Sequence, residues 1–228
     1  MQTIPLINLL YSLIPLLFVW YFYTKWTENR TEILYATIRM IIQLLAVGYV
    51  LIYIFKEKDL FLGIGILTFM MLVSSWISLR NTQDKSFRNF SLIAFSISFT
   101  GILHLVLIIN FILDLDNFYE PRYVIPIAGM ILANSMNVLS IAIERYEKEF
   151  KRTDDFISSR NIAFKSALIP QINSLLAVGL VSLPGMMTGQ ILSGVDPLIA
   201  VRYQIMVMAT ILSGSGISII TYFLLKKN

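Results

Sequence analysis

Residues 33–55 read ILYATIRMIIQLLAVGYVLIYIF, a run in which Arg39 is the only charged side chain. About 20 predominantly apolar residues are enough to cross the hydrocarbon core of a bilayer as a helix. A surface helix of a soluble domain keeps one polar face, and this run has none. It is a membrane span. The breaks between similar runs give six more, over 4–24, 60–79, 90–113, 123–143, 167–183 and 198–225. These runs are continuous rather than alternating, so barrel strands are excluded. The fold class expected is all-α: a polytopic membrane helical bundle of seven transmembrane helices, in one domain over 1–228. The first run has no preceding Lys or Arg and no small-residue cleavage site after it, so it reads as a retained helix rather than a signal peptide.

Composition agrees. Of 228 residues, 57% are hydrophobic and only 14% charged, with a mean hydropathy of +0.73, whereas soluble domains run near a quarter charged and disordered segments are polar. Zero cysteines and one histidine remove disulfide frameworks, thiolate metal sites and multi-histidine cages within the chain.

Basic residues orient the bundle. Of the 18 Lys and Arg, thirteen fall in the loops 25–32, 80–89, 144–166 and the C-terminal tail. Three fall in the opposite set: the N-terminus, 56–59, 114–122 and 184–197. The remaining two, Arg39 and Arg202, lie inside spans. The positive-inside rule then places the N-terminus outside and the C-terminus in the cytoplasm. The longest hydrophilic stretch, ERYEKEFKRTDDFISSRN at 144–161, is expected to continue the fifth helix into the cytoplasm. Glu144 with Lys148 and Glu147 with Lys151 stand in the favoured i, i+4 order, and Asp154-Asp155 marks a turn or a new helix start. This stretch is either a solvated face or a docking surface.

Polar groups inside a bilayer raise a functional question by default. Arg39, with Gln43 one turn on, either snorkels to the headgroups or points into the bundle; Arg202 and Gln204 raise the same question near the outer side. His104, in the middle of the fourth span, either bonds across a helix interface or relays a proton. In the fifth span, GMILANSMNVLS gathers Gly129, Met130, Ala133, Asn134, Met136, Asn137 and Ser140 on one half of the wheel, with Ile131, Leu132, Val138 and Leu139 opposite. Such a face either packs tightly against another helix or lines a transport path.

The sixth span is expected to carry Pro170 in its first turn, then Asn173 and Ser174, and to stop at Pro184-Gly185. Gly189 and Gly194 prevent one continuous span from there onward, so Met186–Ser193 is a short helix or re-entrant turn. Asp196-Pro197 reads as a helix start, with an acidic N-cap and proline at the first position. Interruptions at membrane depth are the best sequence pointer to a transport pathway. The break at 184–197 supplies Pro184, Gly185, Met186, Met187, Thr188, Gly189 and Gln190 as path candidates. No phosphate-binding loop occurs, since SGSGIS at 213–218 lacks the lysine. There is no hydrolytic triad, HExxH motif or nucleic-acid-binding basic patch, so no catalytic residue is assigned.

GMILANSMNVLSIAIER, followed by ALIPQINSLLAVGLVSLPGMMTGQILSGVDPLIAVRYQIMVM, resembles the FetB-like permease family. These are membrane subunits of bacterial ABC exporters associated with iron, with related plant aluminium-tolerance proteins. ATIRMIIQLLAVGYVL at 36–51 is similar too, and the likeness spans all seven helices. The resemblance implies a permease that is not itself an enzyme, placed in the bacterial plasma membrane as a homodimer. It would pair with a separate P-loop ATPase that carries the ATP and magnesium, so this chain would need no cofactor. Its motif residues here are Arg39, Gln43, Asn134, Ser135, Asn173, Ser174, Pro184 through Gln190, Pro197, Arg202, Tyr203 and Gln204. Residues 144–165 are the coupling segment, with Glu144, Arg145, Glu147, Lys148, Lys151 and Arg152 as candidates; the segment is shorter than is usual in the family and contains no glycine. Thioethers and amide carbonyls are weak, exchangeable ligands, while ferric iron prefers carboxylates, so the metal stays unassigned. The alternative reading is an ATP-independent carrier or facilitator for a small solute or cation.

Overall fold

Short loops place Asp59, Ser86, Asp155 and Asp196 where each accepts backbone N–H groups from the helix that follows. The computed structural model describes residues 4–57, 59–115 and 119–227; Lys58 and residues 116–118, counted above with the outer loops, lie outside these. Among the described residues there are eight α-helices and no strand.

Residues 1–57 form a unit of their own. In it α1 (Leu6–Thr27) ends in a left-handed Glu28 at φ 59. Asn29 Oδ1 then accepts from the backbone N–H groups of Thr31 and Glu32, so α2 (Glu32–Glu57) starts at once. Trp20 Nε1 donates to Arg30 O at 2.9 Å and Tyr23 OH to Glu32 Oε2 at 2.6 Å, which pins the two helices into a hairpin.

The second unit holds the core. Asp59 caps α3 (Leu60–Leu79) and Ser86 caps α4 (Phe87–Leu107). The fourth span ends in a π turn over Ile108–Ile112, where Leu113 N–H reaches Ile108 O. A fully helical α5 runs over Pro121–Thr153, about 50 Å at 1.5 Å per residue, which exceeds a hydrocarbon core of about 30 Å. The expected continuation of the fifth helix beyond its span is therefore present. Asp154, left-handed at φ 51, ends it; Asp155 caps α6 (Phe156–Ala177) through Ile157 N–H and Ser158 N–H. The short α7 (Gly185–Leu192) follows, and Asp196 caps α8 (Pro197–Lys226) with proline at its first position.

Packing centres on α4, α5 and α8. One apolar cluster joins Ile93, Ile97, Leu139, Ile143, Ile219 and Tyr222 toward the Thr153 end of α5, and a second joins Leu105, Ile108, Val124, Ile131 and Val207 toward its Pro121 end. Without a hydrophobic drive between helices in lipid, close approach depends on small residues. Gly214 of α8 provides it: a Cβ there would sit 3.5 Å from Thr100 Cγ2, 3.6 Å from Ile131 Cγ2 and 3.7 Å from His104 Cε1. On α3 the ring of Tyr119 occupies the space where a Cβ of Gly63 would be.

Six helices are long and apolar enough to cross a membrane: α1, α2, α3, α4 with its π turn, α5 and α8. The sixth expected span, 167–183, differs. Its helix begins at Phe156, eleven residues before Ala167, and ends at Ala177, six residues before Leu183. The Asp155 cap starts the helix within a stretch that is polar in sequence, and so Pro170 lies inside α6 rather than in its first turn. The interruption accordingly begins at Val178, not Pro184.

Candidate functional site

The two faces of α5 separate as the wheel predicts, with the roles settled by burial. Ile131, Leu132, Val138 and Leu139 are buried in the protein core. The polar face is the more open one: Asn134, Met130 and Met136 are half-buried, and Ala133 and Asn137 are exposed. Its ends pack. A Cβ on Gly129 would meet Met70 Cε of α3 at 3.5 Å, and Ser140 Oγ lies 3.2 Å from Ser78 Oγ of α3 while donating to Met136 O at 2.9 Å. Met130 and Met136 rest against the two apolar clusters. Between those ends, Asn134 Nδ2 donates to Met130 O at 2.8 Å, and Asn134 Oδ1 accepts from Gln171 Nε2 of α6 at 3.2 Å. Asn173 and Ser174 are exposed further along α6. A strip made by Asn134, Asn137 and Gln171 thus runs over the α5–α6 pair on the side away from the core, while Asn173, two residues past Gln171, lies on another face of α6. Gln171 and Ser174 share one side of α6, three apart, and what singles Gln171 out is its contact with Asn134, 37 positions away in sequence.

The break is built from self-satisfied backbone. Val181 N–H and Ser182 N–H both reach Ala177 O, Gly179 N–H reaches Ser182 O, and Val178 N–H reaches Ser174 O. Irregular backbone at membrane depth must be satisfied internally, and this turn does so with Gly179 at φ +83. Pro184 precedes α7, where Thr188 N–H returns to Pro184 O. Met186 packs on the outer cluster, whereas Gly185 and Gly189 have nothing within 4 Å of an added Cβ. Gln190 Oε1 is out of water and unpartnered. A cavity of about 390 Å³ opens between the turn and α8, with Leu175, Gly179, Met187, Gln204 and Met208 in its wall. Of the path candidates, Asn134 and Asn137 lie on the strip, and Met187 alone of residues 184–190 lines the cavity.

His104 is buried with both ring nitrogens engaged, Nδ1 with Thr100 O and Nε2 with Ser213 Oγ of α8, each at 2.8 Å. A carbonyl only accepts, so Nδ1 carries a hydrogen toward Thr100 O, while Nε2 meets the Ser213 hydroxyl, which also lies 2.8 Å from Ala209 O. The bond across α4 and α8 is the interface role open in the sequence. Of the other intramembrane polar groups, Gln204 is buried, Tyr203 half-buried and Arg202 exposed; on α2, Arg39 is half-buried and Gln43 exposed. Ser135 is 1% exposed and its hydroxyl has no partner. Among the described residues no three His, Cys, Asp or Glu side chains gather, so the strip offers a cation only neutral amide, hydroxyl and thioether donors.

The C-terminal arm of α5 is held at its base. Glu149 is buried and takes ion pairs from Arg145 at 2.7 Å and Arg152 at 2.6 Å; Glu144 pairs with Lys148. The expected Glu147–Lys151 pair does not form among the described residues. Glu147 Oε2 instead accepts the backbone N–H of Gln83 at 2.9 Å, tying the arm to the α3–α4 loop. Tyr146 stacks with Phe150 and meets Phe156 and Phe223. Lys226 lies over the faces of Tyr146 and Tyr222, at 5.0 and 5.3 Å from their centroids, a cation–π arrangement. It donates to Tyr222 OH, which donates to Asn89 Oδ1 at 2.7 Å; Asn89 Nδ2 in turn reaches Asp84 O. The Asp84 carboxyl is held below its usual range, first by the Ser86 backbone N–H and then by the Ser86 hydroxyl. Arg145, Lys148, Lys151 and Arg152 are exposed along the arm.

Comparison with known proteins follows this geometry along the whole chain. The uncharacterised protein family UPF0014 matches residues 6–228. A UPF0014 membrane protein of Synechocystis is 33% identical over 204 residues, 83% of this chain and 79% of the relative. A probable iron export permease protein, FetB, of Escherichia coli is 35% identical over 206 residues, 83% of this chain and 77% of the relative. The protein ALUMINUM SENSITIVE 3 of Arabidopsis thaliana is 28% identical over 216 residues, 87% and 77% respectively. No solved structure matches.

Proposed function

The chain belongs to the UPF0014 family, and on that premise we propose that it is the permease subunit of an ABC transporter that exports a metal ion. Iron is the first substrate to test, by likeness to the probable iron export permease of Escherichia coli, and that likeness is the observation that carries the reading. The chain is a multi-span membrane protein, and its relatives are membrane proteins that include a permease. Energy comes from a separate P-loop ATPase that holds ATP and magnesium. The bacterial plasma membrane is its place, with seven crossings, an external N-terminus and a cytoplasmic C-terminus.

The half-open amide strip gives such a permease its path. Asn134, Asn137 and Gln171 lie outside the protein core, so one copy leaves them uncovered, and a second copy of the permease closes the path around them. Neutral donors hold a cation weakly enough to release it. On the cytoplasmic side, the exposed Arg145, Lys148, Lys151 and Arg152 form the surface that meets the ATPase. The carrier reading needs a proton-coupling group in the membrane, and His104 is already committed to Ser213, which favours the ATP-driven one.

Purification in mild detergent from the native membrane, with mass spectrometry of co-purifying chains, tests the reading. A stoichiometric P-loop ATPase whose hydrolysis rises with ferrous or ferric ions is expected. An intact permease that comes down alone, and moves solute in liposomes without ATP, would transfer the assignment to an ATP-independent carrier.

A further inference from the structure

The turn between α1 and α2 carries charges that the chain itself leaves unanswered. Lys25 stands in the last turn of α1, Glu28 caps that helix, and Arg30 comes two residues before α2. All three are exposed, and among the described residues none of their side chains takes part in a hydrogen bond or an ion pair. With Tyr21 and Thr24 they wall a cavity of about 460 Å³, which lies within the unit formed by residues 1–57. Two cations and one carboxylate leave that wall with a net charge of +1.

The frame of the cavity is fixed while its charged tips are free. Trp20 Nε1 holds the Arg30 carbonyl, and Glu28 N–H returns to Thr24 O. Tyr23 OH and Asn29 Nδ2 are both spent on Glu32. Glu28 keeps its place at φ 59, a left-handed conformation that glycine or asparagine takes at a helix end with less strain. Backbone held in such a region recurs at ligand clamps.

Depth and charge together select the occupant. Tyr21 and Trp26 flank the turn, 56% and 76% exposed, and exposed Tyr and Trp at the end of a span mark the headgroup level. The anion at that level is the phosphodiester of a phospholipid, and both an ammonium and a guanidinium bond phosphate with charge assistance. Glu28 would repel a bare phosphate but accepts from a headgroup hydroxyl. An ethanolamine headgroup has a donor for Glu28 yet carries no net charge to answer the wall. A phosphoglycerol headgroup supplies both the donor and a single negative charge.

We infer that the cavity at the α1–α2 turn binds the headgroup of a phosphatidylglycerol-type lipid, its phosphate against Lys25 and Arg30 and a glycerol hydroxyl donated to Glu28. The site stands on the hairpin and does not depend on what the permease exports. Its place in the cytoplasmic leaflet, where juxtamembrane basic residues meet anionic lipid, rests on the orientation proposed above.

The full chain in mild detergent is titrated with phosphatidylglycerol, phosphatidic acid, phosphatidylethanolamine and phosphatidylcholine, and single-lipid adducts are measured by native mass spectrometry. Orientation plays no part in micelles, so a failure there is separate from a failure of the topology. Phosphatidylglycerol is expected to bind about tenfold more tightly than phosphatidylcholine or phosphatidylethanolamine. Lys25→Gln with Arg30→Gln should remove that preference at an unchanged melting temperature. Should the double variant fail to fold, Arg30→Gln alone should weaken phosphatidylglycerol about threefold. Glu28→Gln should erase the preference for phosphatidylglycerol over phosphatidic acid. Lys85→Gln with Lys165→Gln, two exposed cations outside the hairpin, should leave binding as it was. Equal binding of phosphatidylglycerol and either zwitterionic lipid, or an equal loss in the Lys85 and Lys165 variant, overturns the inference. Displacement of the lipid by millimolar inorganic phosphate gives the site to a soluble anion and also overturns it.

Discussion

Gln171 of α6 donates its side-chain amide to Asn134 Oδ1 of α5 across 3.2 Å, and this bond lies on the half-open side of the helix pair rather than in its core. Bonds of this kind between membrane helices contribute on average only about 0.6 kcal/mol. Gln171→Leu and Asn134→Ala should therefore change detergent melting temperature little. If the strip is the path, each should lower metal efflux from cells by about tenfold, the loss that goes with roughly 1.4 kcal/mol of binding. Efflux at the unaltered rate in both variants would remove the strip from the path.

Gly185 and Gly189 lie on α7 with nothing within 4 Å of an added Cβ. A Cβ at either position enters open space, so both leucine variants should reach the membrane at normal abundance and melt within about 0.5 kcal/mol of the parent, as surface substitutions do. Export should nevertheless be abolished if this face slides against a second copy or a moving helix. Normal abundance together with normal export would show that α7 is a passive surface.

Gly214 stands where α8 meets both α4 and α5, and the nearest side-chain atoms leave 3.5 to 3.7 Å for a Cβ. Alanine fits at ordinary contact distance. Leucine would force Thr100, Ile131 and His104 apart, which overpacking data put at about 1–3 kcal/mol. A thermal melt series of Gly214→Ala and Gly214→Leu should give a small step and then a large one; two equal steps would mean that the three helices are not in contact here.

Tyr222→Phe keeps the ring and removes the hydroxyl that joins Lys226 to Asn89. Asn89 is 2% exposed, so its Oδ1 is left buried and unpaired, at a cost of about 1–3 kcal/mol. The double variant Tyr222→Phe with Asn89→Leu should recover part of that loss. Purely additive losses in the double-mutant cycle would show that the two groups do not interact.

Asp84 carries the pH prediction. Its folded pKa is lowered by Ser86, so its contribution is present above the unfolded value of about 3.9 and fades as pH falls through the lower folded value. The α3–α4 loop should be indifferent to pH from about 5 upward and loosen only in stronger acid. Hydrogen exchange at Ser86 and Asn89 in the parent and in Asp84→Asn checks this, since the variant should lose the acid-dependent limb while keeping the rest of the profile.

Much of this architecture was legible because lipid imposes length and continuity on each span. The third span was read at 60–79, where α3 lies, and the Asp196-Pro197 start of α8 follows from cap chemistry that operates within four residues. The sixth span misled for a physical reason. Residues 156–166 are polar enough to read as loop, yet Asp155 caps them and Ala163, Ala167 and Leu168 bury one face against α5 and α8. That tertiary contact is invisible in a hydropathy window. The amide strip is half legible: the wheel separates Asn134 and Asn137 from the apolar face, but Gln171 joins them through a contact between helices 37 positions apart. Ser213 as the partner of His104, and the Lys226–Tyr222–Asn89 chain, join residues more than 100 positions apart or on separate helices, and no local spacing announces them.

Where α5 leaves the bundle, Tyr146 is clasped by Lys226, Phe156 and Phe223, and beyond it the helix runs on to Thr153 without a glycine or a proline. A rod gripped at one point is a lever. The arm from Tyr146 to Thr153 is about 10 Å long and the arm from Tyr146 back to Asn134 is about 18 Å. If the helix pivots as a rigid piece, a push at the tip arrives at Asn134 reversed in direction and nearly doubled. Spin labels at Lys151→Cys and Asn137→Cys would record it as opposite displacements in the two states of a transport cycle, and motion of the tip alone would show that the fulcrum slips. A short, unbendable handle is thus a gain in reach rather than a loss of grip.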